Sequence, residues 1–279
     1  MCFEMRWRRK QAEILRFREY GLVKTNIKYK NIHNGKRCFI IGNGPSLKTV
    51  DLAKLKDEIT FTVNQSPRMK DFPKIHTNYH IWTDERFFNE DFSSPEGKEL
   101  LEVMKSVNTD GNKPTVFYKT SAVKMIKEQE LEKELDISYV MEGFSLKSPD
   151  LDLPIDRVIT GFPTCVHYLI LVAVYMGFSE IYLLGCDCTF ILNIINARLE
   201  ASEKMEYAYE CSTNELNRIC KQQKTALEWE LKNFAALFRA YRTLNMYCEH
   251  HGVKLYNATR GSLLEDIEKV RIEDVLKEV

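Results

Sequence analysis

The chain has 279 residues, 44% hydrophobic and 29% charged, and its 40 basic and 40 acidic side chains cancel. That length suits one α/β domain with elaborations and a substantial core. Zero net charge argues against a nucleic-acid partner and against global attraction to anionic surfaces.

Met1 to Lys10 is too charged for a secretory leader. Residues 3–20 set Phe3, Trp7, Ile14, Leu15 and Phe17 among Arg6, Arg8, Arg9, Lys10, Arg16 and Arg18, the pattern of a basic amphipathic helix. Two readings stand: the helix lies peripherally on an anionic membrane surface, or it packs on the domain with a solvated basic face. Residues 1–36 are read as a helical extension ahead of a domain spanning 37–279.

Arg37 to Leu47 organises that domain. Phe39-Ile40-Ile41 reads as a buried strand, and Gly42-Asn43-Gly44-Pro45-Ser46 as the turn into a helix over 47–55. Ser46 is placed to cap that helix, and a phosphate on Gly44 to Leu47 is the functional reading; a ligand-free turn is the alternative. The pattern is neither a Walker loop nor a complete GxGxxG. Residues 59–63 form a second strand, ending at Asn64, and residues 79–82 a third, ending in Thr83-Asp84-Glu85-Arg86. Such carboxyl ends are where open α/β sheets bind ligands.

Helices are expected over 95–107 and 121–135, with a strand over 115–118 between them. Residues 139–154 read as a loop, and their Asp150-Leu151-Asp152 is a weak match to the DxD metal motif of sugar transferases. Thr160-Gly161-Phe162-Pro163 opens an apolar helix to Met176, too short to span a membrane. A buried strand, 181–184, ends in Gly185-Cys186-Asp187, where the aspartate can bind ribose hydroxyls or cap a turn. Residues 197–250 are read as almost continuously helical, with 190–250 an insertion or lid. A last strand, 253–257, precedes Gly261-Ser262, a short helix and a helical tail over 271–279. Strands alternating with helices predict a Rossmann-like, doubly wound, mainly parallel sheet with helices on both faces. The eight cysteines are irregularly spaced, with a CxC at Cys186 and Cys188 and no CxxC. They are read as reduced thiols of a cytoplasmic protein without a zinc site.

Four segments resemble known families: Ile40 to Leu47; Val63-Asn64-Gln65; Gly177 to Asp187; and Val253 to Thr259 with Gly261-Ser262-Leu263-Leu264. Together they resemble the MptE-like family, which includes hydroxymethylpterin pyrophosphokinases and flagellin-glycosylation factors. They are also similar to the bacterial lipooligosaccharide sialyltransferases of glycosyltransferase family 42. The resemblance implies that Gly42, Asn43, Gly44, Pro45 and Ser46 hold a nucleotide phosphate. Asn64 and Thr83-Asp84 line the donor site, Thr160 and Gly161 contact it from a helix start, and Gly185, Asp187, Gly261 and Ser262 approach the ribose or base. It implies a CMP-sugar donor, a glycan or protein acceptor on a bacterial surface, and no obligatory metal. A homo-oligomer stays open.

The sialyltransferases' catalytic histidine has no counterpart, because residues 189–245 contain no histidine. His80 and Asp84 are the substitutes, with Tyr207 and Tyr209 as candidate leaving-group acids. Two other functions follow from the same residues. One is a pyrophosphokinase using ATP and Mg2+ held by Asp84 and Asp187; the other is a nucleotide-binding protein without catalysis.

Overall fold

The structure is a computed structural model that describes residues 2–85, 94–107, 113–144, 152–198, 207–210 and 226–277. Its strands are β1 (Arg37–Ile41), β2 (Thr60–Val63), β3 (Tyr79–Trp82), β4 (Thr115–Lys119), β5 (Asp136–Phe144), β6 (Val158–Thr160), β7 (Glu180–Leu184), β8 (Lys254–Asn257) and β9 (Glu268–Lys269). Its helices are α1 (Cys2–Leu15), α2 (Phe17–Lys24), α3 (Phe72–Ile75), α4 (Pro95–Ser106), α5 (Val123–Glu128), α6 (Cys165–Tyr175), α7 (Phe190–Arg198), α8 (Leu227–His250) and α9 (Ile272–Val275).

All nine strands join one parallel sheet in the order β6-β5-β4-β3-β2-β1-β7-β8-β9. A parallel sheet is covered on both faces, so its central strands are apolar without alternation. Cys38, Phe39, Ile40 and Ile41 accordingly have no exposed surface. On one face Ile40, Phe61 and Leu183 pack with α6 and with Tyr241, Leu244, Tyr247 and Cys248 of α8. On the other, Phe39, Ile41, Trp82 and Leu184 pack with Leu100, Leu101 and Met104 of α4, Ile126 of α5, and Ile272 and Val275 of α9. This is the expected doubly wound, Rossmann-like architecture. The chain runs outward from β1 to β6, then returns to lay β7 beside β1, with Phe39 opposite Tyr182 and Ile40 opposite Leu183. The crevice between β1 and β7 is therefore the topological switch point, where open α/β sheets bind ligands.

Several local expectations are corrected. After β1 there is no α-helix over 47–55, only two short 3-10 turns, Pro45–Thr49 and Leu52–Leu55. Ser46 lies inside the first of these, and Gly44 precedes it without any side-chain cap. Residues 121–135 form α5 and a further 3-10 turn rather than one helix. Residues 139–144, read as loop, belong to β5, which pairs with β4 and β6. β6, Val158–Thr160, is an additional strand, paired with β5, and includes the Thr160 expected at the opening of the apolar helix. Of the expected long helix over 197–250, α8 is present, residues 207–210 are irregular, and 199–206 and 211–225 lie outside the described residues. With its carboxyl-terminal half in the core, α8 is the crossover that delivers β8. The expected short helix after Ser262 is a turn leading to β9, and the tail is helical only over Ile272–Val275. Of the DxD segment, Asp150 and Leu151 lie outside the described residues. Asp152 accepts Arg9 through its backbone oxygen and its carboxylate.

The amino-terminal segment is two helices broken at Arg16, laid against β5 and β6. It merges with the domain: Val23 is fully buried, Asn26 Nδ2 donates to the carbonyls of Tyr139 and Ile155, and the Tyr29 hydroxyl meets Ser138 Oγ at 2.7 Å. No helix among the described residues is long and apolar enough to cross a membrane.

Candidate functional site

A cleft of about 610 Å³ opens over the switch point. The segments that follow the strands bring residues to it: Gly42 to Pro45 after β1, Asn64 after β2, Thr83 to Glu85 after β3 and Gly185 to Thr189 after β7. Lys119 arrives at the end of β4, and Phe162 to Val166 lead into α6. Phe190 of α7, Leu237 and Tyr241 of α8, and Tyr207 complete the wall. The sheet thus gathers Gly42, Asn43, Gly44, Pro45, Asn64, Thr83, Asp84, Gly185 and Asp187 into one site.

The glycine turn does different work from the one expected. Gly42 N–H donates to Leu184 O at 2.7 Å, and Gly44 N–H to Gly185 O at 2.9 Å. Ser46 N–H donates to Asp187 Oδ1 at 2.9 Å and its hydroxyl to Oδ2 at 2.8 Å. Leu47 N–H donates to Gly44 O. These donors are engaged within the protein, so the phosphate cradle expected on Gly44 to Leu47 is not built. The side-chain amide of Asn43 is engaged too: Nδ2 donates to Val63 O, and Oδ1 accepts from Ser66 Oγ. The turn is a clasp joining the ends of β1, β2 and β7. Its glycines are required by contact, since a Cβ at Gly42 would stand 2.4 Å from Gly185 O, and one at Gly44 1.8 Å from Asp187 Oδ2.

Asp187 is consequently a clasp residue as much as a lining one. Burial pushes its carboxyl above the usual range, partly opposed by the two Ser46 hydrogen bonds. A folded-state pKa above the unfolded one means that Asp187 favours the fold more strongly as pH falls through that value. Asp187→Ala removes both acceptors from Ser46 and is expected to cost about 2 kcal/mol in urea unfolding. Asp187→Asn keeps the shape and one acceptor, and should recover at least half of that loss. Equal losses in the two variants would show that the clasp does not depend on these hydrogen bonds.

Other expected site residues lie elsewhere. His80 is wholly buried on β3, with Nδ1 2.8 Å from Thr62 Oγ1 and its ring edge-on to Trp82. Burial lowers its pKa to about 3, and it does not line the cleft, so it is a core histidine and not the general base. Ser46 faces Asp187 rather than the cleft. Ser262 is buried, its hydroxyl donating to Cys186 O at 2.7 Å, so it secures the Gly185–Cys188 loop from behind. Gly261, at φ 73, is an exposed turn residue. Thr160 is buried at the end of β6 and Gly161 stands over Glu142, both just short of the cleft wall that begins at Phe162. Tyr207 lines the cleft while Tyr209, stacked on it at 5.3 Å, is buried behind. Arg86 lies outside the described residues.

The polar groups left to meet a ligand are few. Asn64 takes a left-handed φ of 43°, unusual for a residue other than glycine, at the very end of β2. Its Oδ1 is buried without a hydrogen-bond partner. Thr164 Oγ1, near Tyr241, likewise has no partner within hydrogen-bonding geometry. Among the described residues Lys119 is the single cationic side chain on the wall; its Nζ lies 2.8 Å from Glu142 Oε1. The start of α6 also reaches the cleft at Cys165 and Val166, bringing the partial positive charge of a helix amino terminus. Sequence reasoning missed Lys119 and Thr164. Lys119 had a signal, as the last residue of the strand that follows the one ending in Thr83-Asp84.

Apolar lining comes from Phe162, Phe190 and Leu237 and from the thiols of Cys165, Cys186 and Cys188, with Cys165 Sγ 2.8 Å from Thr83 Oγ1. Burial pushes these thiols up, Cys188 to about 12, so they are protonated and unreactive. Among the described residues no group of three or more His, Cys, Asp or Glu is placed to hold a metal ion. Comparison with known protein families, with characterised proteins and with solved structures found no match to this chain.

Proposed function

We propose that the cleft binds a nucleotide sugar and that the protein is a glycosyltransferase, with a CMP-sugar as donor and a bacterial surface glycan or protein as acceptor. The observation that carries this reading is the cleft itself. It lies at the switch point of a doubly wound sheet, is lined by both polar and apolar side chains, and holds unpartnered oxygens on Asn64 and Thr164. Among the described lining residues Lys119 is the one cation, which matches the single negative charge of a nucleoside monophosphate ester better than the two of a diphosphate. In this reading the phosphate sits between Lys119 and the start of α6, and the base or ribose donates to Asn64 Oδ1. Asp84, at the end of β3, is the group to accept the proton of the acceptor hydroxyl. Lys119 and the Tyr207 hydroxyl relieve charge on the departing phosphate.

A second reading draws on the three carboxylates of the cleft, Asp84, Glu85 and Asp187. Diphosphate transfer from ATP to a hydroxymethylpterin relies on Mg2+ held by such groups. The residues fit that ion poorly, because both oxygens of Asp187 already accept from Ser46.

Calorimetric titration with CMP, UDP, GDP and Mg-ATP separates these readings. CMP is expected to bind without metal, and Lys119→Ala to weaken it about tenfold or more, the worth of one charge-assisted hydrogen bond. Preference for Mg-ATP would transfer the case to the second reading. Silence with all four at millimolar concentration would end both.

A further inference from the structure

The second half of the first helix buries charges and exposes apolar side chains. In a surface helix the charged residues face water and the apolar ones face the core. In α1 two charged side chains, Arg9 and Glu13, face the protein. Arg9 is 4% exposed, its Nε donating to Val158 O at 3.1 Å and its Nη2 to Asp152 O at 2.6 Å. Glu13 is 6% exposed and takes two hydrogen bonds from Arg157. Arg16, at the break into α2, donates to Glu142 O and to Thr120 Oγ1. Each inward charge has a partner on β5, β6 or the loops beside them, so this packing is specified rather than incidental.

Large apolar side chains of the same segment face outward. Trp7, Ile14, Leu15 and Phe17 are 56%, 65%, 76% and 75% exposed. Exposed Lys10 and Arg18 stand beside them. The first 37 residues carry eleven lysines and arginines against three glutamates; Arg9, Arg16 and Arg37 pair with acidic groups, while Lys10, Arg18, Lys24, Lys28, Lys30 and Lys36 are exposed. Large apolar side chains standing together in water mark an interaction surface.

We infer that this ridge docks on an anionic lipid bilayer, with Trp7, Ile14, Leu15 and Phe17 entering the interfacial layer and Lys10 and Arg18 meeting lipid phosphates. Charge selects the occupant. A second copy of this face would bring basic surface against basic surface, whereas an anionic bilayer complements it. Shape agrees, since a ridge on the outer side of a helix needs no matching groove when it enters a fluid interface. Composition agrees as well: an aromatic and aliphatic face bordered by lysine and arginine is that of a helix lying in a membrane interface. The docking point is tied to the cleft. Arg16 holds Glu142 through its carbonyl, and the Glu142 carboxylate holds Lys119 on the cleft wall. The inference does not depend on what the cleft binds.

The test is flotation of the full chain with vesicles of phosphatidylcholine, with and without phosphatidylglycerol. Binding is expected only with phosphatidylglycerol, with a blue shift of tryptophan emission, and with weakening as salt rises. The variant Trp7→Ser/Ile14→Ser/Leu15→Ser/Phe17→Ser should lose the binding. Lys10→Glu/Arg18→Glu, which alters no buried group, should weaken it at least about tenfold. Thermal melting of both variants against wild type reports that the fold is intact; should the serine variant not fold, the charge variant decides alone. Three results overturn the inference: no association with anionic vesicles, equal association with neutral ones, or a wild-type dimer in solution that these substitutions dissociate.

Discussion

Gly44→Ala is expected to destabilise the protein by about 3 kcal/mol and to abolish ligand binding in the cleft. The new Cβ would fall 1.8 Å from Asp187 Oδ2 and 2.7 Å from Gly185 O. Asp187 could swing aside only by giving up both hydrogen bonds from Ser46. Gly185 cannot move either, since its own φ is 62° and it lies against Leu47. The methyl group therefore separates the ends of β1 and β7, the two strands that frame the cleft. Gly21→Ala is the internal control. Gly21 lies on the exposed face of α2 with nothing near its Cβ position, so alanine there should stabilise by about 0.5–1 kcal/mol. Urea unfolding of the two variants beside wild type settles the matter. A Gly44→Ala protein as stable as Gly21→Ala would mean that the clasp is dispensable.

The second large effect is acid lability. His80 and His167 have no exposed surface, and burial lowers each pKa from 6.5 to about 3. His167 lies edge-on to Tyr241 at 4.2 Å, and neither of its ring nitrogens has a hydrogen-bond partner. With the folded pKa depressed, their contribution to stability is complete above the unfolded value and is lost as pH falls toward the folded one. Each withholds a proton that the unfolded chain takes up, about 1.4 kcal/mol per pH unit below 6.5. Two such groups remove on the order of 4 kcal/mol by pH 5, a large part of an ordinary domain's stability. Partly buried His33 acts in the same direction, and Asp187 in the opposite one. Circular dichroism should show cooperative unfolding well above the pH at which carboxylates alone would cause it. His167→Leu, which removes a titrating group and two unpartnered nitrogens, should move the midpoint to lower pH. An unchanged midpoint in that variant would locate the acid sensitivity elsewhere.

The two predictions concern the same molecule seen from its site and from its core, and they explain why the sequence was legible in some places and not in others. Strand identity was legible because a central parallel strand must be apolar throughout. Cys38 to Ile41 and Ile181 to Leu184 satisfy that condition with no reference to partners. β6 was not legible: three residues, Val158 to Thr160, carry too little pattern, and only pairing with β5 makes them a strand. Residues 139–144 were misread because Glu142 and Gly143 look like loop; the register shift beside them accommodates the glycine within the sheet.

Chain order and local pattern were enough to establish a doubly wound sheet, and they placed Asn64, Thr83, Asp84 and Asp187 at its ligand-binding edge, because a strand's carboxyl end can be read without knowing its neighbours. They could not establish what each side chain does there. Whether Gly44 faces a phosphate or a carboxylate, whether His80 titrates, and whether Arg9 looks outward or inward are matters of distance between segments far apart in the chain. Asp187 lies 141 residues from the serine it binds, and Arg9 lies 149 from the carbonyl it reaches. Hydrogen-bond capacity and burial are properties of the assembled fold, and only tertiary contact assigns them.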